Sequence, residues 1–228
     1  MKEKLKRTTA LLGDMAMERI MASHVAIFGI GGVGGHAAEV LARSGVGEIT
    51  LVDADDVELS NVNRQLVAMT STIGRSKVEV MAERIKDINP MCKVNAIQKF
   101  FLPENADEFD FESYDYVIDA VDTVTAKIEL VLKAKQYDIP IISAMGAGNK
   151  LDATAFEVAD IYDTSVCPLA KVMRKELKAR GVTGLKCVYS KEPSKATNGE
   201  RTPASVAWVP ATEGLIIGGE VIKFLAKM

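Results

Sequence analysis

The sequence predicts an α/β fold: a Rossmann-like, doubly wound, mainly parallel sheet with helices on both faces and a mixed or antiparallel C-terminal extension. Three observations carry this. Short apolar runs alternate with helical stretches through the first half of the chain. The first run, His24 to Phe28, ends in the glycine-rich turn Gly29-Ile30-Gly31-Gly32-Val33-Gly34, which opens a helix. The second, Glu48 to Val52, ends at Asp53, 24 residues after Gly29. With 228 residues, 48% apolar and 26% charged, the chain can bury a substantial core. That composition excludes disordered, collagenous and disulfide-framework classes. One domain spanning 1–228 is expected, with a nucleotide-binding half over about 20–145 and a substrate-side half over about 146–228.

Taken in order, HVAIF (24–28) reads as a buried parallel strand. Gly32 to Arg43 reads as a helix stopped by Ser44-Gly45. EITLV (48–52) is the second strand. Ser76-Lys77-Val78-Glu79 has the form of a capping box opening a helix to about Asn89, before Pro90. Tyr114 to Asp119 and Ile139 to Ala144 are strands separated by a helix from about Val124 to Tyr137. Phe156 to Ile161 and Leu185 to Ser190 follow as strands. Pro168 marks a helix start continuing to Arg180. Lys191 to Ala204 reads as a mobile loop; Ser205 to Val209 and a final helix from Thr212 finish the chain. Trp208 is expected to be buried near that helix. Met69, Met81, Met145 and Met173 are expected to fill the core.

Cys92, Cys167 and Cys187 form no CxxC pair, which fits a reduced cytoplasm and gives no zinc signature. The basic N-terminus leads into no long apolar stretch, and no segment is long and apolar enough to span a bilayer, so a soluble cytoplasmic protein with no membrane partner is expected. The net charge of −3 is unevenly spread. Glu104 to Asp122 holds eight acidic residues and no basic one, whereas Lys171 to Arg201 holds nine basic against three acidic, a local +6. A solvated face is the commoner meaning of a charge run. A basic arm for a polyanion is the sharper one.

The missing side chains of Gly29, Gly31, Gly32 and Gly34 allow a tight turn and let backbone N–H groups approach a phosphate at the helix N-terminus. Asp53 stands where an acid would bond ribose hydroxyls. Alone, this fingerprint suits a nicotinamide or flavin dehydrogenase. Beyond Asp53 come Asp55, Asn61, Arg64 and Gln65, with Lys77 at the start of the next helix. Arg and Lys there suit a triphosphate, neutralising phosphates and leaving-group charge. Together they favour ATP. Cys92 and Cys187 read as buried structural thiols, and Cys167 remains open because it stands at a helix N-terminus. His24 and His36 read as packing or surface residues.

These motifs, GIGGVG, the DADDVELSNVNRQ block and Lys77, resemble the ubiquitin-activating-type adenylating family, from about Arg7 to the C-terminus. The resemblance implies ATP bound for attack by a carboxylate at its α-phosphate. It implies Asp53 on the ribose and Asn61, Arg64 and Lys77 on the phosphates. It also implies Asp122 near Mg2+, and Arg7 reaching across a homodimer to the partner's ATP. The family usually has Asp-Asn where this chain has Asp122-Thr123. Two segments, Asp163 to Leu177 and Cys187 to Glu192, resemble the zinc-free tRNA threonylcarbamoyladenosine dehydratases, in which Asp often precedes the Pro-Leu pair instead of Cys167. That narrower resemblance implies ATP-dependent cyclisation of a threonylcarbamoyl group on tRNA, with the Lys171 to Arg201 stretch facing the tRNA. Whether a sulfur-mobilising partner protein docks is left open by the sequence. The alternatives are activation of the C-terminal glycine of a small ubiquitin-like sulfur carrier, a nicotinamide oxidoreductase, and a non-catalytic nucleotide sensor.

Overall fold

A computed structural model describes residues 2–195 and 203–228. Two N-terminal helices, α1 (Lys2–Leu12) and α2 (Asp14–Ala22), lead into β1 (His24–Phe28), α3 (Gly34–Ser44) and β2 (Glu48–Val52). Then come α4 (Lys77–Ile88), β3 (Lys93–Ile97), β4 (Tyr116–Asp119), α5 (Val124–Gln136) and β5 (Ile141–Ala144). The second half adds β6 (Phe156–Asp160), α6 (Pro168–Ala179), β7 (Lys186–Ser190) and α7 (Trp208–Ala226).

All seven strands form one sheet in the order β3-β2-β1-β4-β5-β7-β6. Every pair is parallel except β6 with β7, the antiparallel edge. The doubly wound expectation and its antiparallel extension therefore hold. Strand order reverses between β1 and β4, so the loops leaving their carboxyl ends diverge and open a crevice there.

One face of the sheet buries Ile27, Ile49 and Ile118 with α3, α4 and α7. The other carries an aromatic cluster of Phe28, Phe101, Phe109, Phe111 and Tyr114, where Phe28 and Phe101 meet edge-to-face at 5.0 Å. Each such ring, once buried, contributes about 1.5–3 kcal/mol.

Several local expectations need correction. The Ser76 side chain forms no cap; its Oγ is buried without a partner among the described residues. The chain is held there instead by an isolated antiparallel bridge between Asp56 and Ser76, and by the Lys77 N–H donating to the Asp55 carbonyl at 3.1 Å. The last helix starts at Trp208, not Thr212, and runs through Pro210. In a first turn the N–H that proline lacks has no intrahelical partner anyway. Trp208 is half exposed, and its indole N–H donates to the Leu151 carbonyl at 2.8 Å. Met69 is also exposed, while Met81, Met145 and Met173 are buried as expected. Of the segment expected to be a mobile loop, residues 196–202 lie outside the described residues. Among the described residues no helix is long and apolar enough to cross a membrane.

Candidate active site

At the switch point lies a cleft of about 440 Å3. Gly29 follows β1 with φ of +90°, and a Cβ there would stand 2.5 Å from the Ala120 carbonyl oxygen, so glycine is required. The N-terminus of α3, the positive end of its helix dipole, sits beside this turn, where the Gly35 N–H donates to the Gly31 carbonyl at 3.0 Å and the His36 N–H to the Val33 carbonyl at 3.1 Å.

Asp53 organises the turn. Its Oδ2 accepts the Ile30 N–H at 2.6 Å and its Oδ1 accepts the Asp55 N–H at 2.9 Å. The acid is thereby fixed at the carboxyl end of β2 with lone pairs remaining for hydroxyl donors. Lys77 is buried, and its Nζ lies 2.8 Å from Asp55 Oδ2, whose carboxylate is half exposed. Arg64 Nη1 donates to the Ser60 carbonyl at 2.8 Å and to Asn63 Oδ1 at 3.0 Å.

Asn61 is buried and partly structural: its Oδ1 accepts the Glu58 N–H at 3.1 Å, and its Nδ2 donates to Ser60 Oγ at 3.3 Å. Gln65 is buried, with its Oε1 unpartnered among the described residues. A Cβ on Gly31 would stand 3.8 Å from Gln65 Nε2, which puts the amide beside the glycine turn. Asp122 lies exposed after β4, and its Oδ1 accepts the Thr123 hydroxyl at 3.2 Å. No group of three or more His, Cys, Asp or Glu side chains able to hold a metal exists among the described residues. One exposed carboxylate is nevertheless the donor set Mg2+ uses when phosphates and waters complete its octahedron.

The cleft thus brings together Gly29, Gly31, Gly32, Asp53, Asp55, Asn61, Arg64, Gln65, Lys77 and Asp122. Two expected residues are not in it. Gly34 is packed against the turn from behind: a Cβ there would lie 1.8 Å from the Gly29 carbonyl oxygen. Arg7 lies exposed on α1, which is anchored through Leu5 over Gly45.

Sequence reasoning missed the rest of the lining. Lys99 to Leu102 follow β3 and form one end, with Phe100 two-thirds exposed beside the buried Phe101. Ala147, Gly148, Pro203, Ser205 and Pro210 complete the lining, with Pro210 packed against the glycine turn, where a Cβ on Gly32 would stand 3.2 Å from the Pro210 Cβ. Beneath the floor, Lys127 on α5 is fully buried and bonds Asp119 Oδ1 and the Val121 carbonyl, both at 3.0 Å. Glu213 on α7 is also fully buried. Its Oε1 accepts the Met145 N–H at 3.0 Å, and burial pushes its carboxyl up to about 8 against the pull of Lys127.

The cysteines and histidines stand apart from this chemistry. All three thiols are free and buried, and none lines the cleft. Burial pushes the Cys92 thiol up to about 11 and the Cys187 thiol up to about 12. Burial lowers the pKa of His24, which bonds Thr50 Oγ1 at 2.8 Å and the Ser113 carbonyl at 2.9 Å. His36 Nδ1 donates to the Gly32 carbonyl at 2.8 Å.

The model of the ThiF family matches residues 5–228. The chain belongs to the ThiF family. Its relatives include a tRNA threonylcarbamoyladenosine dehydratase of Bacillus subtilis, 43% identical over 244 residues that cover 100% of this chain and 96% of that protein. Another, from Escherichia coli, is 42% identical over 81% of this chain and 72% of its own length. Among ThiF-like solved structures, the E. coli tRNA N6-threonylcarbamoyladenosine dehydratase in complex with ATP has a TM-score of 0.92. At 37% identity it covers 99% of this chain and 95% of that one.

Proposed function

We propose that this chain is an ATP-dependent tRNA threonylcarbamoyladenosine dehydratase, working in the cytoplasm as one adenylation unit over its whole length. The observation that carries the reading is the cleft at the β1/β4 switch point. There a glycine turn, an aspartate at the end of β2, and an arginine and a buried lysine from two further segments line one cavity. Relatives that carry this activity in their names, matched along nearly the full chain, support the choice of substrate.

In this reading Asp53 accepts the ribose hydroxyls of ATP, and the N-terminus of α3 with Asn61, Gln65, Arg64 and Lys77 surrounds the phosphates. Asp55 holds the Lys77 Nζ at the cleft until phosphate replaces it as partner. An oxygen of the threonylcarbamoyl carboxylate attacks the α-phosphorus. The bond from that phosphorus to the bridging oxygen breaks, and pyrophosphate leaves. A nucleophile of the same modified base then attacks the acyl carbon of the adenylate, closes the ring and expels AMP. The nucleoside loses one water overall. Because this nucleophile is intramolecular, proximity supplies up to about 7–11 kcal/mol of the second step, and no enzyme nucleophile is required. That agrees with three buried thiols, two of them with raised pKa values. Asp122 would hold Mg2+, which supplies charge neutralisation at the phosphates.

Arg7, exposed on α1 and away from its own cleft, fits a role at the cleft of a second copy in a two-fold homodimer. The tRNA would lie along α6. Among the described residues Arg180, Lys186 and Lys191 pair with Glu176, Glu220 and Glu157. The effective basic field of this stretch therefore falls on the exposed Lys171, Lys175, Lys178 and Lys195.

The test mixes purified protein, ATP and Mg2+ with tRNA carrying threonylcarbamoyladenosine, and measures AMP and the mass of the modified nucleoside. AMP release with loss of one water is expected, and Lys77→Ala should abolish both. ATP binding with neither product would refute the reading.

A further inference from the structure

Arg64 is not a free side chain. Each terminal nitrogen of a guanidinium carries two N–H groups. Arg64 Nη1 donates to the Ser60 carbonyl at 2.8 Å and to Asn63 Oδ1 at 3.0 Å, so the protein consumes both donors of that nitrogen. Two donors on Nη2 and one on Nε are left for a ligand. Fixing one corner of the fork in this way removes rotamer freedom before an anion arrives.

The amide of Asn63 is itself committed on its other side. Its Nδ2 donates to the Ser205 carbonyl at 3.0 Å. Only the oxygen of the amide can face a guanidinium and only its nitrogen can face a carbonyl, so the two neighbours set its orientation. Ser205 belongs to the segment Pro203–Ser205, of which Pro203 and Ser205 line the cleft. The same segment is held from the β5 side by Asn149, whose N–H donates to the Ala204 carbonyl at 2.8 Å and whose Oδ1 accepts the Ala204 N–H at 2.7 Å. Asn149 makes both bonds from a left-handed backbone, φ of +60°, which asparagine tolerates better than most residues.

We propose that Asn63 is a positioning residue for Arg64. It holds the guanidinium so that Nη2 and Nε face the phosphates, and it ties that orientation to the seating of Pro203–Ser205. A substrate that seats or displaces this segment therefore acts on the arginine through one amide. The inference rests on Arg64 as a phosphate ligand. Asparagine suits both contacts: aspartate keeps the acceptor for Arg64 but sets a carboxylate against the Ser205 carbonyl, and alanine keeps neither.

The experiment compares wild type, Asn63→Ala, Asn63→Asp and Arg64→Ala. It measures the ATP dissociation constant by calorimetry, steady-state AMP formation on modified tRNA, and the melting temperature. Asn63→Ala is expected to lower kcat/KM for ATP about tenfold, the size of one lost orienting hydrogen bond. Its melting temperature should stay unchanged, because Asn63 is exposed. Asn63→Asp is expected to keep ATP affinity within about twofold while kcat falls several-fold, a split that a general loss of structure would not produce. Wild-type behaviour of Asn63→Ala beside a crippled Arg64→Ala overturns the role of Asn63 alone. Losses in both Asn63 variants that track a lowered melting temperature also overturn it. An Arg64→Ala variant with normal ATP affinity overturns this inference together with the assignment of Arg64. An ATP affinity that depends on Asn63, in a protein that does not turn over the tRNA, supports the inference and rejects the dehydratase reading.

Discussion

Two lysine–aspartate pairs lie within a few residues of the same nucleotide cleft, and they do opposite work. Lys77 and Asp55 meet at 2.8 Å, with the lysine side chain 6% exposed and the aspartate 54%. Lys127 and Asp119 meet at 3.0 Å with both side chains fully buried. In the first pair the aspartate keeps its access to water, so the lysine can exchange it for phosphate at low cost. In the second, neither charge reaches water, and their further hydrogen bonds go only to the Val121 backbone. Breaking it strands an ion in a low-dielectric interior. In the proposed function the first pair holds a ligand-binding cation, whereas the second is a strut joining β4 to α5 beneath the floor. Proximity to the cleft therefore does not by itself separate chemistry from architecture; solvent access of the acid does.

The strongest way to break this comparison is Lys127→Ala, expected to cost about 3–5 kcal/mol of folding stability in urea denaturation. A loss below about 1 kcal/mol would show that the fold does not depend on this pair. Lys77→Ala should do the reverse, lowering kcat/KM for AMP formation by about 100-fold or more while stability changes by about 1 kcal/mol or less. Glu213, which faces Lys127, Lys150 and Asp119, tests the electrostatics of the strut through pH. Its folded-state pKa is raised from 4.5 to about 8 by burial, so folding favours the protonated acid. That contribution is fully present below about 4.5 and is lost as pH rises through about 8. The wild-type melting temperature should thus fall, relative to Glu213→Gln, between pH 5 and pH 8.5 (about the window the two values define). Parallel curves would mean that the acid stays ionised beside Lys127. The smallest effect is expected for Ser76→Ala, within about 0.5 kcal/mol, since its hydroxyl has no partner to lose.

What could be read from the sequence was local. The strand–turn–helix at 24–44 and the aspartate ending β2 lie within one continuous stretch, where apolar runs and glycine spacing report directly on geometry. Gly29 and Asp53 were therefore assigned to the cleft. Strand β3 escaped because its KVNAI pattern is half exposed at the edge and offers no clean alternation. The early start of α7 was hidden by Pro210, which reads as a breaker unless the first turn is known. Lys127 and Glu213 belong to α5 and α7, and their meeting beneath the floor depends on the sheet order. Trp208 and Asn63 were misjudged or missed because their partners are backbone carbonyls, Leu151 and Ser205, which no residue pattern announces. Gly34 is expected among the ligand contacts, whereas the structure packs it behind the Gly29 turn and outside the cleft lining.

That last residue has a consequence for how this protein would look in a screen of all substitutions. A methyl group on Gly34 would overlap the Gly29 carbonyl oxygen at 1.8 Å, so even alanine must push the glycine turn out of place. Activity would vanish at Gly34 as completely as at Lys77, in a residue that packs behind the turn and does not line the cleft. A map of lost function would paint it as catalytic, and only a parallel map of folded abundance would return it to the scaffold.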